Sequence, residues 1–282
     1  MADTPIPVLD PTKKPAGAMT MVYQDHYFLQ RWVDYYGRQF GRQHLYILSH
    51  GGDPEHDRIC EGANVIHLPR DPTMWRMERR RWGISSQFSA GMLRYYNWLF
   101  VGDVDEVVIV DPDVAPDLTT YLGRYSNPKS APASLCPFGI ELIHNPEAEP
   151  EPLVDDQPIL SRRRVFRANA NYAKPCILRK ETGFTIGGHA NSHQPRVLDP
   201  HMYLVHLRFF DFERVTTCSP AAWVSLPPPP VLRFPRLASS TRGTAPRPAA
   251  RASATSRYAA AAPSKPWWMA AARCKTLQSL TV

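Results

Sequence analysis

Trp98-Leu-Phe-Val-Gly-Asp-Val-Asp-Glu106 reads as a short buried strand that runs directly into three acidic side chains. Alternate residues of an extended chain point to the same side, so Asp103 and Asp105 are expected to aim their carboxylates at one point beyond the strand end. Hard oxygen ligands in that position suit Mg²⁺ or Mn²⁺, and such ions commonly carry the phosphates of a substrate. The alternative is a solvated acidic turn, since a chain with 26 acidic residues contains some Asp-x-Asp spacings by chance.

Before this segment, strand-like and helix-like patterns alternate along the chain. The predicted elements are strands at 18–22, 45–48 and 64–68 and helices at 25–40 and 77–95. Such alternation predicts an α/β fold with a mostly parallel central sheet. In sheets of this kind ligands bind at the carboxyl ends of the strands, which is where Asp25, Asp53 and Asp103 fall.

The first predicted helix has a single aromatic face with residues at four-residue spacing, namely Phe28, Trp32, Tyr36 and Phe40. This period is typical of an amphipathic helix that packs on a core. Asp25 is placed as its N-cap and Gly41 as the residue that ends it. Asp25 therefore has two interpretations, a helix cap or a contact to a ligand, and the sequence leaves both open.

The pattern becomes less regular beyond Asp111. The sequence predicts a strand at 134–143 broken near Pro137, an exposed loop at 144–158, and short strands at 159–166, 174–178 and 202–207. The regular alternation that indicates parallel strands is thus confined to the first half of the domain.

Composition divides the chain into a flexible N-terminus at 1–17, a foldable domain at 18–215 and a tail at 216–282. The tail holds nine of the 33 Lys and Arg residues and none of the 26 acidic residues, which leaves 24 basic and 26 acidic side chains in the rest. The net charge of +7 therefore does not indicate a nucleic-acid partner. With its Pro and Ala runs the tail is expected to be disordered, either as a genuine basic linker or as an out-of-frame product.

The five cysteines show no Cys-x-x-Cys spacing and no close pairing with histidine. This argues against a structural zinc site of the Cys type and favours a reducing compartment. The N-terminus lacks the pattern of a signal peptide, and no apolar run approaches the ~20 residues that span a bilayer. The expected location is cytoplasmic, free or peripheral to the inner membrane, with no transmembrane segment.

Several short motifs occur in a characteristic order over residues 18–215. They are Gln24-Asp25 after the first strand, then Ser49–Asp53, Trp98–Glu106, Phe138-Gly139, Lys174–Leu178, Gly187–His189 and His206–Arg208. This order resembles that of bacterial family 2-like glycosyltransferases with the GT-A fold, in the group that carries an Asp-x-Asp-Glu motif. The family has Asn-Glu where this chain has Gln24-Asp25, and the tail has no counterpart in it. The resemblance implies a three-layer GT-A-like domain.

The resemblance also implies a metal-dependent glycosyltransferase that moves a sugar from a nucleotide-diphosphate sugar to a glycan, a lipid-linked acceptor or another hydroxyl acceptor, as in polysaccharide biosynthesis. The implied cofactor is Mn²⁺ or Mg²⁺, with Asp103, Asp105 and His206 as the candidate metal ligands. Asp105 is the direct ligand in this interpretation, Asp103 alternatively contacts the ribose, and His206 is alternatively a hydrogen-bonded residue at a strand end. The residues assigned to the nucleotide sugar are Asp25, Asp53, Asp103 and Lys174.

An inverting transferase needs a carboxylate general base, and the sequence offers four without choosing among them: Glu141, Glu181, Asp199 and Asp211. Retaining chemistry is an open alternative. The main alternative function is a non-catalytic or truncated GT-A remnant that binds nucleotide or glycan without turnover, which the unusual tail favours. A phosphotransferase with an Asp nucleophile ranks below it, because the Asp-x-Asp of those enzymes follows the first strand.

Overall fold

The computed structural model of the chain describes residues 9–155 and 157–214. The predicted tail at 216–282 and the first eight residues of the predicted flexible N-terminus lie outside this part. The described helices and strands are, in chain order, β1 (Lys14–Val22), α1 (His26–Phe40), β2 (Leu45–His50), α2 (Pro54–Ile59), β3 (Asn64–Leu68), α3 (Met74–Met92), β4 (Tyr96–Gly102), β5 (Glu106–Val110), α4 (Leu118–Leu122), β6 (Ser134–Ile143), α5 (Ile159–Arg162), β7 (Phe166–Ala168), β8 (Ile177–Leu178) and β9 (Leu198–Phe209).

The first four strands form a parallel sheet with helices on both faces. β1 lies between β2 and β4, and β3 continues the sheet beyond β2. Alternate residues of each strand enter different cores, so Trp98 and Phe100 of β4 pack on the α1 side while Leu99 and Val101 pack with Trp82 of α3. This arrangement explains the nearly continuous apolar run of β4, because both of its faces are buried.

The second half extends the same sheet with mixed pairing. The strand order is β3-β2-β1-β4-β8-β6-β9-β5, with β7 added on β6. β8 is antiparallel to β4 and β6, β9 runs parallel to β6, and β5 is antiparallel to β9. The predicted α/β class is confirmed, and the sheet is mixed: β1 to β4 are all parallel, and the second half adds one parallel pair, β6 and β9, among antiparallel ones.

Only three residues separate β4 from β5, although three strands lie between them in the sheet order. The second half consequently turns back over the carboxyl end of the first. Helix α1 closes this arrangement with two tyrosines, since the Tyr35 hydroxyl donates to the Val108 carbonyl oxygen at 2.7 Å and the Val108 N–H donates to the Tyr36 hydroxyl at 2.9 Å. The turn at 103–105 is thereby placed between the two halves of the sheet.

Several predicted elements have different bounds in the structure. β1 begins at Lys14 and not at Ala18, because the Lys14 N–H donates to the Tyr95 carbonyl oxygen and the strand pairs with β4 from its first residue. The predicted strand at 159–166 is wrong over its first part, which forms α5. There the Ser161 hydroxyl donates to the Pro158 carbonyl oxygen at 2.6 Å and stabilises a helical turn.

Three further findings bear on the predictions. Strand β3 has the predicted bounds Asn64–Leu68, which confirms that element. The predicted strand break near Pro137 is a register shift within a continuous β6. Among the residues that the structure describes, no helix is long and apolar enough to cross a membrane.

Candidate functional site

The three acidic residues of the Trp98–Glu106 segment lie in the turn that joins β4 to β5. Val104 and Asp105 form the turn itself, and Glu106 is the first residue of β5. Because the backbone is not extended here, the expectation that Asp103 and Asp105 point to the same side does not apply. The two carboxylates instead contact different basic side chains.

Asp103 and Glu106 share one lysine. The Nζ of Lys174 lies 2.8 Å from Asp103 Oδ2 and 2.7 Å from Glu106 Oε1. The guanidinium of Arg81, from α3, contacts the other oxygen of Asp103. Lys174 is buried, so its charge is compensated by these two acids and not by water. The structure thus places the predicted donor-site residue Lys174 against the predicted site residue Asp103.

Asp105 is buried and contacts a different pair of cations. Its Oδ2 lies 2.7 Å from Arg208 Nε and 3.6 Å from His206 Nε2. Burial raises the pKa of the Asp105 carboxyl, but His206 and Arg208 outweigh this effect and hold its pKa well below the usual range. Asp105 is therefore a buried carboxylate that stays ionised.

His206 lies between two carboxylates. Its Nδ1 is 3.3 Å from Glu141 Oε1, opposite the contact to Asp105, and its ring stacks on Tyr172 with 3.9 Å between the centroids. Burial lowers the pKa of His206, but the two acids raise it to about 9. Glu141 also accepts from Arg167 Nε at 2.6 Å; burial raises its pKa, but His206 and Arg167 bring it down to about 2. The pair is an imidazolium against a carboxylate.

These residues form two sets of ion pairs that meet at the turn, one around Lys174 and one around Asp105, and we call the two sets together the acid-turn network. Its acids are Asp25, Asp103, Asp105, Glu106 and Glu141, and its bases are Arg81, Arg167, Lys174, His206 and Arg208. It gathers all predicted site residues except Asp53. The basic side chains Arg81, Arg167 and Arg208 were not predicted as parts of it, although Arg208 stands two residues after His206 on β9 and faces the same side.

The side chain of Asp25 joins this network and does not cap the start of α1. Gln24 and Asp25 both have positive φ angles, 55° and 49°, which is unusual for residues other than glycine. The Asp25 side chain makes no capping hydrogen bond to α1 and accepts from the Arg208 guanidinium at 2.8 Å. The predicted N-cap position is confirmed, since the Asp25 carbonyl oxygen accepts from the Leu29 N–H at 3.1 Å, but the left-handed backbone turns the carboxylate toward β9 and away from the helix start.

Asp53 lies apart from the acid-turn network, at the end of β2. Its Oδ1 accepts from the Glu55 N–H at 3.0 Å and caps α2, while its Oδ2 lies 2.7 Å from His26 Nε2. His56 is close by, and the ligand atoms of these three side chains all lie within 4.8 Å of one another. We call them the His26 group. In the described part of the chain no other set of three His, Cys, Asp or Glu side chains meets this criterion.

The predicted metal ligands Asp103, Asp105 and His206 thus do not converge in this way within the described residues, and that ligand set stays a prediction. Of the four candidate bases, Glu141 belongs to the acid-turn network. Asp199 accepts from the hydroxyls of Tyr121 and Tyr125, Asp211 pairs with buried Arg163, and Glu181 is exposed. Asp199 and Asp211 are thereby occupied by structural contacts.

No protein-family model matches the chain, and no curated protein matches it at a significant level.

Proposed function

We propose that this chain is a metal-dependent glycosyltransferase with a GT-A-like fold, similar to the family 2-like enzymes. It would transfer a sugar from a nucleotide-diphosphate sugar to the hydroxyl of a glycan or lipid-linked acceptor. The observation that carries the proposal is the position of Asp103, Asp105 and Glu106 at the carboxyl end of a parallel strand, where sheets of this class bind ligands. The basic side chains around this turn supply the positive charge that a diphosphate requires.

The oxygen atoms of the turn fit a hard divalent cation. Asp103 Oδ1 and Glu106 Oε1 are buried and accept no directed hydrogen bond, although Arg81 and Lys174 lie beside them. Mn²⁺ and Mg²⁺ need few protein ligands, since substrate phosphates and water complete their coordination. Asp103 and Glu106 offer these two oxygens, and Asp105, the predicted direct ligand, would join them where Arg208 transfers its contact to the diphosphate. When bound, the ion neutralises charge on the leaving diphosphate as a Lewis acid.

The chain's own cations would assist in the same place. Lys174 and Arg208 each contact acids of the turn, so a diphosphate bound there can share these cations with the acids. Arg208 offers a planar fork that suits phosphate oxygens, while Lys174 offers a compact charge. With its pKa raised to about 9 by Asp105 and Glu141, His206 would add positive charge next to Asp105, a role that excludes it as a metal ligand, since a ligand imidazole is neutral. These groups orient the diphosphate and stabilise the charge that develops on it.

One observation favours the second candidate, a non-catalytic module that binds nucleotide. Every acid of the turn already contacts a basic side chain, so the network is electrically satisfied without a metal ion. If the network serves only the stability of the fold, the chain would bind a nucleotide weakly and would not catalyse transfer from a nucleotide sugar.

The two candidates are separated by nucleotide-sugar hydrolysis, in which water replaces the acceptor. With UDP-, GDP- and dTDP-sugars and Mn²⁺, the chain should hydrolyse at least one donor, and Mn²⁺ should raise the melting temperature only with the matching nucleoside diphosphate. Asp103→Asn, at the partly exposed acid, should reduce turnover by roughly 100-fold or more. Asp57→Asn on the exposed face of α2 is the matched control and should retain full turnover.

Nucleotide binding with no hydrolysis of any donor would favour the non-catalytic module. Failure of every nucleotide to bind would contradict both candidates. Full turnover in Asp103→Asn would contradict the assignment of the turn as the donor site.

A further inference from the structure

The His26 group brings two imidazoles and one carboxylate together at the sheet edge where β1 and β2 end. His26 is the first residue of α1, Asp53 precedes α2, and His56 lies one helical turn into α2. Two helix starts and two strand ends thus fix the three side chains from different parts of the chain. Their assembly depends on the fold and not on a local motif.

The two carboxylate oxygens of Asp53 have different partners, one in the backbone of α2 and one in the His26 group. Oδ1 accepts the backbone N–H of Glu55, which fixes the rotation of the carboxylate. Oδ2 then lies 2.7 Å from His26 Nε2 and 3.8 Å from His56 Nε2. A single carboxylate oxygen is therefore placed beside both imidazole nitrogens.

His56 is held on both sides of its ring. It is fully buried, with Nδ1 2.8 Å from the Ser49 hydroxyl and Nε2 2.9 Å from the carbonyl oxygen of Gln24. A carbonyl only accepts, so Nε2–H donates to Gln24 and the Ser49 hydroxyl donates to Nδ1. Because a hydroxyl can also accept, a shift of the proton to Nδ1 keeps the Ser49 contact and frees the Nε2 lone pair. Outer hydrogen bonds of this type orient metal-bound histidines.

We propose that His26 Nε2, His56 Nε2 and Asp53 Oδ2, together with the carbonyl oxygen of Gln24, form a binding site for a borderline divalent ion of the Zn²⁺ type. Donors placed tetrahedrally about 2.1 Å from zinc lie about 3.4 Å from one another. The observed separations of 2.7, 2.9 and 3.8 Å lie around that value. Ion binding would require His26, whose side chain is 44 % exposed, to move away from Asp53, and the Gln24 carbonyl oxygen to move off the Nε2 axis of buried His56.

The donor set distinguishes this site from the acid turn. Two imidazoles favour Zn²⁺, Ni²⁺ or Cu²⁺, whereas the carboxylates of the acid turn favour Mg²⁺ or Mn²⁺. The exposure of His26 gives an ion a route from solvent, while buried His56 supplies a ligand that is already oriented. The site stands independently of the proposed transferase activity.

Zinc titration of the metal-free full-length chain by calorimetry, without nucleotide, tests the site. We expect one saturable zinc ion per chain at this site. His26→Ala and Asp53→Asn should each weaken it at least 10-fold, and the asparagine keeps an oxygen that caps α2. His67→Ala is the matched control, since His67 and Asp57 form an exposed pair 3.1 Å apart with no second histidine within it. Asp103→Asn is the control for the acid turn, and both controls should bind zinc normally.

X-ray absorption of the zinc-loaded chain should show two imidazole donors and no sulfur. The proposal is overturned if the wild-type chain binds no zinc, if His26→Ala binds it as tightly as the wild type, if either control weakens it equally, or if sulfur ligands appear.

Discussion

Asp53 and Asp105 each follow a strand of the parallel half, yet their negative charges are compensated by different means. The Asp53 side chain is 24 % exposed and accepts hydrogen bonds from a backbone N–H and an exposed imidazole. Asp105 is buried between Arg208 and His206. Removing a carboxylate from water costs several kcal/mol, so counter-charges are required at Asp105 and not at Asp53.

The difference determines what each cluster is able to bind. At the His26 group an ion has to replace the hydrogen bonds from His26 to Asp53 and from His56 to Gln24, but no Lys or Arg ion pair with Asp53 is found among the described residues, so a bare cation is a suitable ligand. At the acid-turn network each carboxylate already contacts a basic side chain, and a cation alone would meet those positive charges. A cation that arrives with a diphosphate satisfies both the acids and the bases there.

The largest expected effect is on stability, where the two aspartates should differ most. Asp105→Ala leaves buried His206 and half-buried Arg208 without their shared partner, although Glu141 and Asp25 remain beside them, and should lower the free energy of unfolding by about 3 kcal/mol. Asp53→Ala removes a helix cap and should cost about 1 kcal/mol. Urea unfolding at pH 7 measures both values. Equal losses of unfolding free energy in the two variants would show that the burial of Asp105 does not make its contribution to stability larger than that of Asp53.

A smaller effect is expected in the pH dependence of stability. His206 has its pKa raised to about 9, so its contribution is complete below the unfolded value of about 6.5 and is lost as the pH rises through about 9. The loss should reach about 3 kcal/mol in total, and His206→Gln should remove it. Asp105 and Glu141 have lowered pKa values, so their contribution is present above about pH 4 and is lost as the pH falls.

Urea unfolding between pH 5 and 10 checks this dependence. Asp53→Asn should keep the alkaline loss, since Asp53 lies in the other cluster. An alkaline loss that persists in His206→Gln would place its origin elsewhere.

The smallest effect concerns the backbone between the clusters. Gln24→Gly removes the strain of a left-handed conformation but raises the conformational entropy of the unfolded chain. These effects oppose each other, so the free energy of unfolding should change by less than about 0.5 kcal/mol. Gln24→Val places a β-branched side chain at the same positive φ and should cost about 1–2 kcal/mol. Thermal and urea unfolding of the two variants measure the difference. A tolerated valine would show that the left-handed geometry is not required.

The sequence predicted those features that depend on local pattern. Strand β3, the apolar strand before Asp103 and the aromatic face of α1 follow from periodicity, because their side chains pack where alternation places them. The strand predicted at Ile159 was wrong, because a side-chain bond within Pro158–Ser161 favours a helical turn over a short apolar pattern.

The partners within each cluster could not be predicted in this way. His26 and His56 meet Asp53 only because the ends of β1 and β2 are adjacent, and neither histidine belongs to a recognisable motif. The N-cap position of Asp25 follows from local pattern, but its side-chain contact with Arg208 spans most of the domain and could not be predicted. Residues that act across the sheet leave little trace in sequence spacing.

The two left-handed residues at 24 and 25 have a thermodynamic consequence. The carbonyl oxygen of Gln24 accepts from His56, and the next side chain, Asp25, accepts from Arg208. One backbone kink therefore belongs to both clusters at once. A ligand that rotated this kink at one cluster would change the affinity of the other to the extent that it binds the two orientations differently, and by reciprocity that effect would be equal in both directions.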